Sequence, residues 1–252
     1  MEVPTDEDHQ LAADLARAAG ELLLEVRARL HDQEAPTATI KDEGDRIAHE
    51  FLMHELADAR PHDAVLSEEG RDDERSDPRR LSTPMVWIVD PLDGTGEYGE
   101  GRDDWAVHVA LVEDGVPTAG AVALPGLGLV LSTFDPPQLP APNEPLRVIV
   151  SRTRPPAEAI AIADALGAAI IEMGSAGAKA MAVVRGEADI YPHSGGQFEW
   201  DSAAPVAVAA AAGLSCTRLD GSPLVYNRAD PYLPDLLICR PANVPTVLAV
   251  LN

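Results

Sequence analysis

Cysteine, basic residues and long apolar runs are all scarce in this chain, and each scarcity closes off a class of protein. Two cysteines, Cys216 and Cys239, supply neither a disulfide framework nor a thiolate metal site, and both are read as small core residues. No stretch approaches the roughly 18 consecutive apolar residues that a membrane-spanning helix needs. The opening "MEVPTDEDHQ" is acidic and lacks the charged-then-apolar pattern of a secretion signal, so the expected location is cytoplasmic. Lysine and arginine together number 19 against 42 acidic residues, a net charge of −23. Such a surface repels nucleic-acid polymers and anionic membranes. A small anionic substrate stays open, because a bound divalent cation reverses the local field.

What is present is a chain of 252 residues, long enough for one large domain or two halves sharing a core. Leu11, Leu15, Ala18, Leu22, Val26 and Leu30 recur at three- and four-residue steps, which predicts an amphipathic helix over 7–30. A second helix is expected after Asp45, with Ile47, Phe51, Met53 and Leu56 on its apolar side. Strands are expected at Ala64 to Leu66, in "MVWIVD" and "WAVHVALVEDG", then in "TAGAVALP" and "GLVLSTF". The proline-dense "FDPPQLPAPNEPL" cannot supply ladder hydrogen bonds and reads as a connector between halves 1–134 and 146–252. Beyond it, strands "RVIVS", "AAIIEMG" and "ADIYPH" alternate with helices "PAEAIAIADAL", "GAKAMAVVRG" and "DSAAPVAVAAAAG". That alternation predicts an α/β layered fold, and no internal repeat is evident.

Several catalytic templates fail. His49 and His54 in "HEFLMH" stand five apart rather than four, which rotates them by roughly 140° around a helix and rules out a zinc pair. "MGSAG" lacks the first glycine of a nucleophile elbow, Ser175 and Lys179 miss the S-x-x-K spacing, and "GEGRDD" lacks the last glycine of a dinucleotide loop. The acidic positions behave differently. Glu68, Asp90, Asp93 and Asp201 follow apolar strands or open a helix, where α/β folds build their sites. Asp201 also reads as a helix N-cap. Asp90 and Asp93 place two like charges at the end of a core strand, and paired carboxylates raise each other's pKa unless a cation sits between them. Oxygen-only donors point to Mg²⁺ rather than zinc.

"DPLDGT" (90–95), "SEEG" (67–70) and "EWDSAA" (199–204), with Asp45 lying 23 residues before Glu68, together resemble the signatures of the inositol monophosphatase superfamily. The resemblance runs from about Leu11 to Arg240. The C-terminal half, through "GSAGAKAMAVVRGEADIYPHSG", "LDGSPLVYN" and "VSRTRPP", is similar to the CysQ-type branch of 3′(2′),5′-bisphosphate nucleotidases, and "GRDDWAVH" to actinobacterial members of it. The resemblance implies the αβαβα layered sandwich of sugar phosphatases and a lithium-sensitive phosphoric monoester hydrolase using two or three Mg²⁺ ions. The implied substrate is adenosine 3′,5′-bisphosphate; inositol or sugar bisphosphates, a related nucleotide of a specialised pathway, or a catalytically silent metal-binding protein are the alternatives. It implies Glu68, Asp90, Asp93, Asp201 and the Leu92 carbonyl as metal ligands, and Asp45 with Thr95 as the water-activating pair. Gly94, Thr95, Ser151, Arg152, Gly174, Ser175 and Lys179 would face the substrate, and a homodimer is compatible. Trp105, Tyr191 and Trp200 are candidate walls for a base, though each reads more readily as core. The chain departs from the family where Glu43-Gly44-Asp45 replaces Thr-Ala-Asp, and where His193 follows "YP" in place of arginine.

Overall fold

Apolar residues on alternate sides of β-rich runs, interleaved with alanine-rich helical periods, demand sheets covered on both faces. The computed structural model, which describes residues 4–71, 75 and 77–251, meets that demand with two five-stranded sheets. Helix α1 (Asp6–Asp32) buries Ala12, Leu15, Ala16, Ala19, Leu23, Val26 and Leu30 along one stripe. Its start is fastened by Asp8, whose Oδ2 accepts from both the Thr5 amide and hydroxyl at 2.8 Å. Helix α2 (Thr37–Ala59) begins earlier than the sequence suggested, directly after Pro36, so Asp45 lies within the helix and does not precede it. Pro36 has an extended ψ of 145°, which ends the preceding loop and leaves Thr37 free to open the helix.

The first sheet runs β1 (Ala64–Ser67), β2 (Met85–Asp93), β3 (Ala106–Glu113), β4 (Val116–Leu124) and β5 (Leu129–Ser132) in spatial order. Two short helices belong to this half, α3 (Pro78–Ser82) and α4 (Thr95–Gly99). Residues 133–146 carry no helix or strand. The second half supplies β6 (Arg147–Ser151), α5 (Ala157–Leu166), β7 (Ala169–Met173), α6 (Ala176–Val184), β8 (Ile190–Phe198), α7 (Ala203–Ala211), β9 (Ser215–Thr217), β10 (Tyr232–Cys239) and α8 (Val244–Leu251). Its sheet is ordered β7-β6-β8-β10-β9.

Three apolar clusters define the layers. Helices α1 and α2 pack on one face of the first sheet through Leu23, Leu52, Trp87 and Leu111. Helices α6 and α7 lie between the sheets, joining Ile88 and Val122 of one to Tyr191 and Leu236 of the other. Helices α5 and α8 close the far face over Val148, Ile190 and Leu237. The order is therefore helix, sheet, helix, sheet, helix, as expected. The sequence reading missed β9, β10 and α8, and it stopped β8 at His193. That strand continues through Gly195 and Gly196 to Phe198, with a register irregularity opposite Leu233–Asp235. Cys239 is buried and Cys216 half-buried; both thiols are free, and burial pushes each up to about 12. Among the described residues no helix is long and apolar enough to cross a membrane.

Candidate active site

Asp90 and Asp93 are three residues apart, an odd spacing that would send them to opposite faces of a regular strand. Strand β2 solves this with a bulge. Asp90 pairs with His108 and Asp93 with Ala106, so two residues of β2 oppose one of β3 between them. The extra residue returns Asp93 to the side of Asp90, and the strand ends at Asp93 rather than Asp90. Asp90 Oδ1 accepts from the Leu92 amide at 3.1 Å, fixing the bulge from within. Gly94 follows with φ 88°, and a side chain there would press on Ser175 and Trp105.

Asp201 arrives from the other half of the chain. It closes the 3₁₀ turn Glu199–Asp201 rather than capping α7, whose cap position is Ser202. Its Oδ2 accepts from the Phe198 amide at 2.6 Å. The turn is held by Glu199, fully buried and accepting from the amides of Asn227 and Arg228 at 2.7 and 2.8 Å. Asp90, Asp93 and Asp201 each offer one oxygen, and these lie within 4.8 Å of one another.

Glu68, at the end of β1, stands against Asp90. Burial and neighbouring negative charges lift the group. Asp90 goes well above the carboxylate range, chiefly by burial and then by Glu68 and Asp93. Burial, with the charges of Asp201 and Asp93, takes Glu68 to about 7; burial and Asp93 take Asp201 to about 6. Asp90 Oδ2 is buried with no hydrogen-bond partner among the described residues. An orphaned carboxylate oxygen inside an all-oxygen cluster suits a hard divalent cation, so the residues present fit such an ion.

Asp93 is the exception. Burial alone would raise it, but His108 and Ser175 beside it bring it down to about 2. Ser175 Oγ donates to Asp93 Oδ2, the Ala176 amide to Oδ1 at 3.1 Å and the Gly177 amide to Oδ2 at 2.6 Å. His108, fully buried, donates through Nδ1 to the Trp200 carbonyl at 3.0 Å and sets Nε2 3.2 Å from Asp93 Oδ2. Burial opposes charging of this imidazole, yet Asp93 and the Trp200 carbonyl raise its pKa. Sequence pattern alone gives His108 no role; its place opposite Asp90 on β3 reveals one.

Asp45 comes from α2. Gly44 is what lets that helix approach, since a Cβ there would meet the Tyr98 ring at 2.7 Å. Thr95 Oγ1 lies 3.2 Å from Asp45 Oδ1 and 3.1 Å from the Leu92 carbonyl, so one hydroxyl proton faces two acceptors. Burial and the charge of Glu69 raise Asp45 to about 7. Of the expected substrate residues, Gly94, Ser151, Arg152, Gly174, Ser175 and Lys179 border one cleft of about 220 Å³ together with Asp93, and Thr95 is not part of its lining. Several hold protein partners. Arg152 pairs with Glu97 at 2.9 Å and Glu100 at 3.1 Å. The Gly174 amide donates to Asp104 at 2.7 Å, and Lys179 Nζ to the carbonyls of Gly174 and Ser175. Ser151 Oγ accepts from the Arg154 amide at 3.3 Å. Of the three aromatic wall candidates, all are buried and Tyr191 alone borders this cleft. His49 bonds Ser67 at 3.0 Å while His54 faces Asp58 at 3.8 Å, so the two histidines serve different neighbours.

A profile of the inositol monophosphatase family matches residues 5–240. The chain is 50% identical to the 3′-phosphoadenosine 5′-phosphate phosphatase of Mycobacterium leprae, over 97% of this chain and 93% of that protein. It is 30% identical to the 3′(2′),5′-bisphosphate nucleotidase CysQ of Escherichia coli, over 87% and 94%. The crystal structure of CysQ from Bacteroides thetaiotaomicron aligns with a TM-score of 0.79 at 27% identity, covering 95% of this chain and 99% of that one.

Proposed function

The chain belongs to the inositol monophosphatase family, and from that premise we propose that it is a Mg²⁺-dependent phosphatase removing the 3′-phosphate of adenosine 3′,5′-bisphosphate. The observation that carries this reading is the convergence of Asp90, Asp93 and Asp201 beside the Asp45–Thr95 pair. Glu68, Asp90, Asp93, Asp201 and the Leu92 carbonyl are the ligands proposed for the metal. Bound there, divalent cations would offset phosphoryl charge and acidify a water.

Asp45 is the general base in this proposal. A carboxyl lifted to about 7 is half ionised at neutral pH and takes a proton readily, the condition under which proton transfer is most effective. Thr95 orients the attacking water, its hydroxyl proton committed to Asp45 or to Leu92 O and its lone pairs free to accept. Water oxygen forms the new bond to phosphorus, Asp45 takes its proton, the bond from phosphorus to the ribose 3′ oxygen breaks, and the departing oxygen takes a proton from solvent while Asp45 returns its own. The products are inorganic phosphate and the 5′-monophosphate. Amides of Gly94 and Thr95 would donate to the phosphoryl oxygens. Arg152, with Ser151, would take the 5′-phosphate, exchanging Glu97 and Glu100 for the ligand. Gly174, Ser175 and Lys179 complete the substrate side. The proposed location is the cytoplasm.

A phosphate-release panel tests the reading. Adenosine 3′,5′-bisphosphate should be hydrolysed with magnesium, not with chelator, and less in lithium. Turnover of inositol 1-phosphate or fructose 1,6-bisphosphate with the nucleotide untouched would replace it with the sugar-phosphatase alternative.

A further inference from the structure

Gln197 carries an unused amide at the cleft. Its side chain is 6% exposed, and both Oε1 and Nε2 are buried without a hydrogen-bond partner among the described residues. Buried amides are almost always paired, because an unpaired one forfeits its hydration for nothing. Gln197 borders the same cleft as Asp93, Lys179 and Asp201. The Tyr191 hydroxyl, on the same strand and the same cleft, is likewise buried and unpartnered. Beside Gln197, Gly195 and Gly196 have φ of 95° and 89°, and the Tyr232 ring packs where a Cβ on Gly196 would stand.

An amide presents one donor and one acceptor side by side. A phosphate group presents acceptors and cannot satisfy both. Adenine carries a matching pair on its polar edges, an exocyclic N–H next to a ring nitrogen, and glutamine is its usual bidentate reader. We propose that Gln197 is the residue that reads the base of a nucleotide ligand, turning its amide onto the adenine edge while the phosphoryl end lies at the acidic cluster. Only the role of the phosphoryl end rests on the phosphatase reading above.

The test compares Gln197→Leu and Gln197→Met with the wild-type protein by titration calorimetry in magnesium, using adenosine 5′-monophosphate and ribose 5-phosphate. Loss of two hydrogen bonds should weaken adenosine monophosphate binding about 10- to 100-fold and leave ribose 5-phosphate within about twofold. The free variants should melt no lower than wild type, since an unpaired polar group has been removed. Unchanged nucleotide affinity, equal weakening of both ligands, no nucleotide binding by wild type, or free variants that melt lower would each overturn the proposal. A protein that binds the nucleotide through Gln197 yet hydrolyses no phosphate ester would instead overturn the phosphatase reading and leave this inference standing.

Discussion

Titrating the metal-free protein should expose the repulsion among its clustered carboxylates. Glu68 is raised from 4.5 to about 7 and Asp201 from 3.8 to about 6. In the unfolded chain these groups shed their protons near pH 4. Between pH 5 and 8 the folded state therefore gives up protons that the unfolded state no longer holds, and stability falls as pH rises through about 6 to 7. Each tenfold in proton affinity is worth about 1.4 kcal/mol, so either carboxylate alone would cost about 3 kcal/mol. The two repel each other and Asp201 borders a cleft reached by water, so about 3 kcal/mol is assigned to the pair together. For a chain of this size that is a fall of about 6–12 °C in melting temperature. His108 runs the same way: its raised pKa stabilises below the unfolded value, and that stability is lost as pH rises through the folded one. The assay is thermal unfolding followed by circular dichroism at constant ionic strength from pH 5 to 8, after chelation, with and without excess magnesium. Magnesium should restore the melting temperature at pH 8 and do little at pH 5, where protons compete for the same oxygens. Asp90→Asn separates the cluster from the overall charge of −23. It keeps an acceptor for the Leu92 amide but removes a proposed metal-ligand oxygen, so it should abolish the magnesium effect while the metal-free pH slope, set by Glu68 and Asp201, remains. A metal-free melting temperature that stayed level or rose toward pH 8, or a magnesium effect undiminished in Asp90→Asn, would refute the reasoning.

Asp45→Asn should lower kcat for phosphate release by about 10²–10⁴, the usual worth of a general base, and leave the melting temperature near wild type because it relieves the charge of Glu69. A methyl group in Gly177→Ala collides with His108 Nε2 in a sealed core, and the denaturant midpoint should fall by an amount equivalent to about 1–3 kcal/mol. Gly96→Ala, where an added Cβ meets nothing within 4 Å, is the control and should be neutral.

Local chemistry made much of this molecule readable in advance. The stripe of α1, the strands flanking "DPLDGT" and the proline-rich connector follow from periods of 3.6 and 2 and from missing amide donors, which depend on near neighbours alone. The start of α2 was misplaced because Thr37 to Lys41 lack an apolar period, and the helix there is fixed by packing of Ile40 and Gly44 against its neighbours. Strand β10 went unread for a similar reason: its partners, β8 and β9, come from distant segments. At the site, residue types and spacing were enough to nominate Glu68, Asp90, Asp93 and Asp201, and the resemblance to the inositol monophosphatase superfamily added Asp45. They said nothing of His108, Glu97 or Gln197, whose importance lies in what stands opposite them.

The chain, taken alone, determined which carboxylates stand at strand ends, which glycines permit a tight exit, and the kind of ion such oxygen donors favour. Those are properties of side-chain chemistry and of backbone torsions within a few residues. The fold decided the rest. A bulge turned Asp93 back beside Asp90, a buried imidazole and three donors around Ser175 claimed Asp93, two glutamates took Arg152, and an amide at Gln197 was left unmatched. Each of these depends on distances between segments remote in sequence, and such distances are set only when the sheets and helices pack.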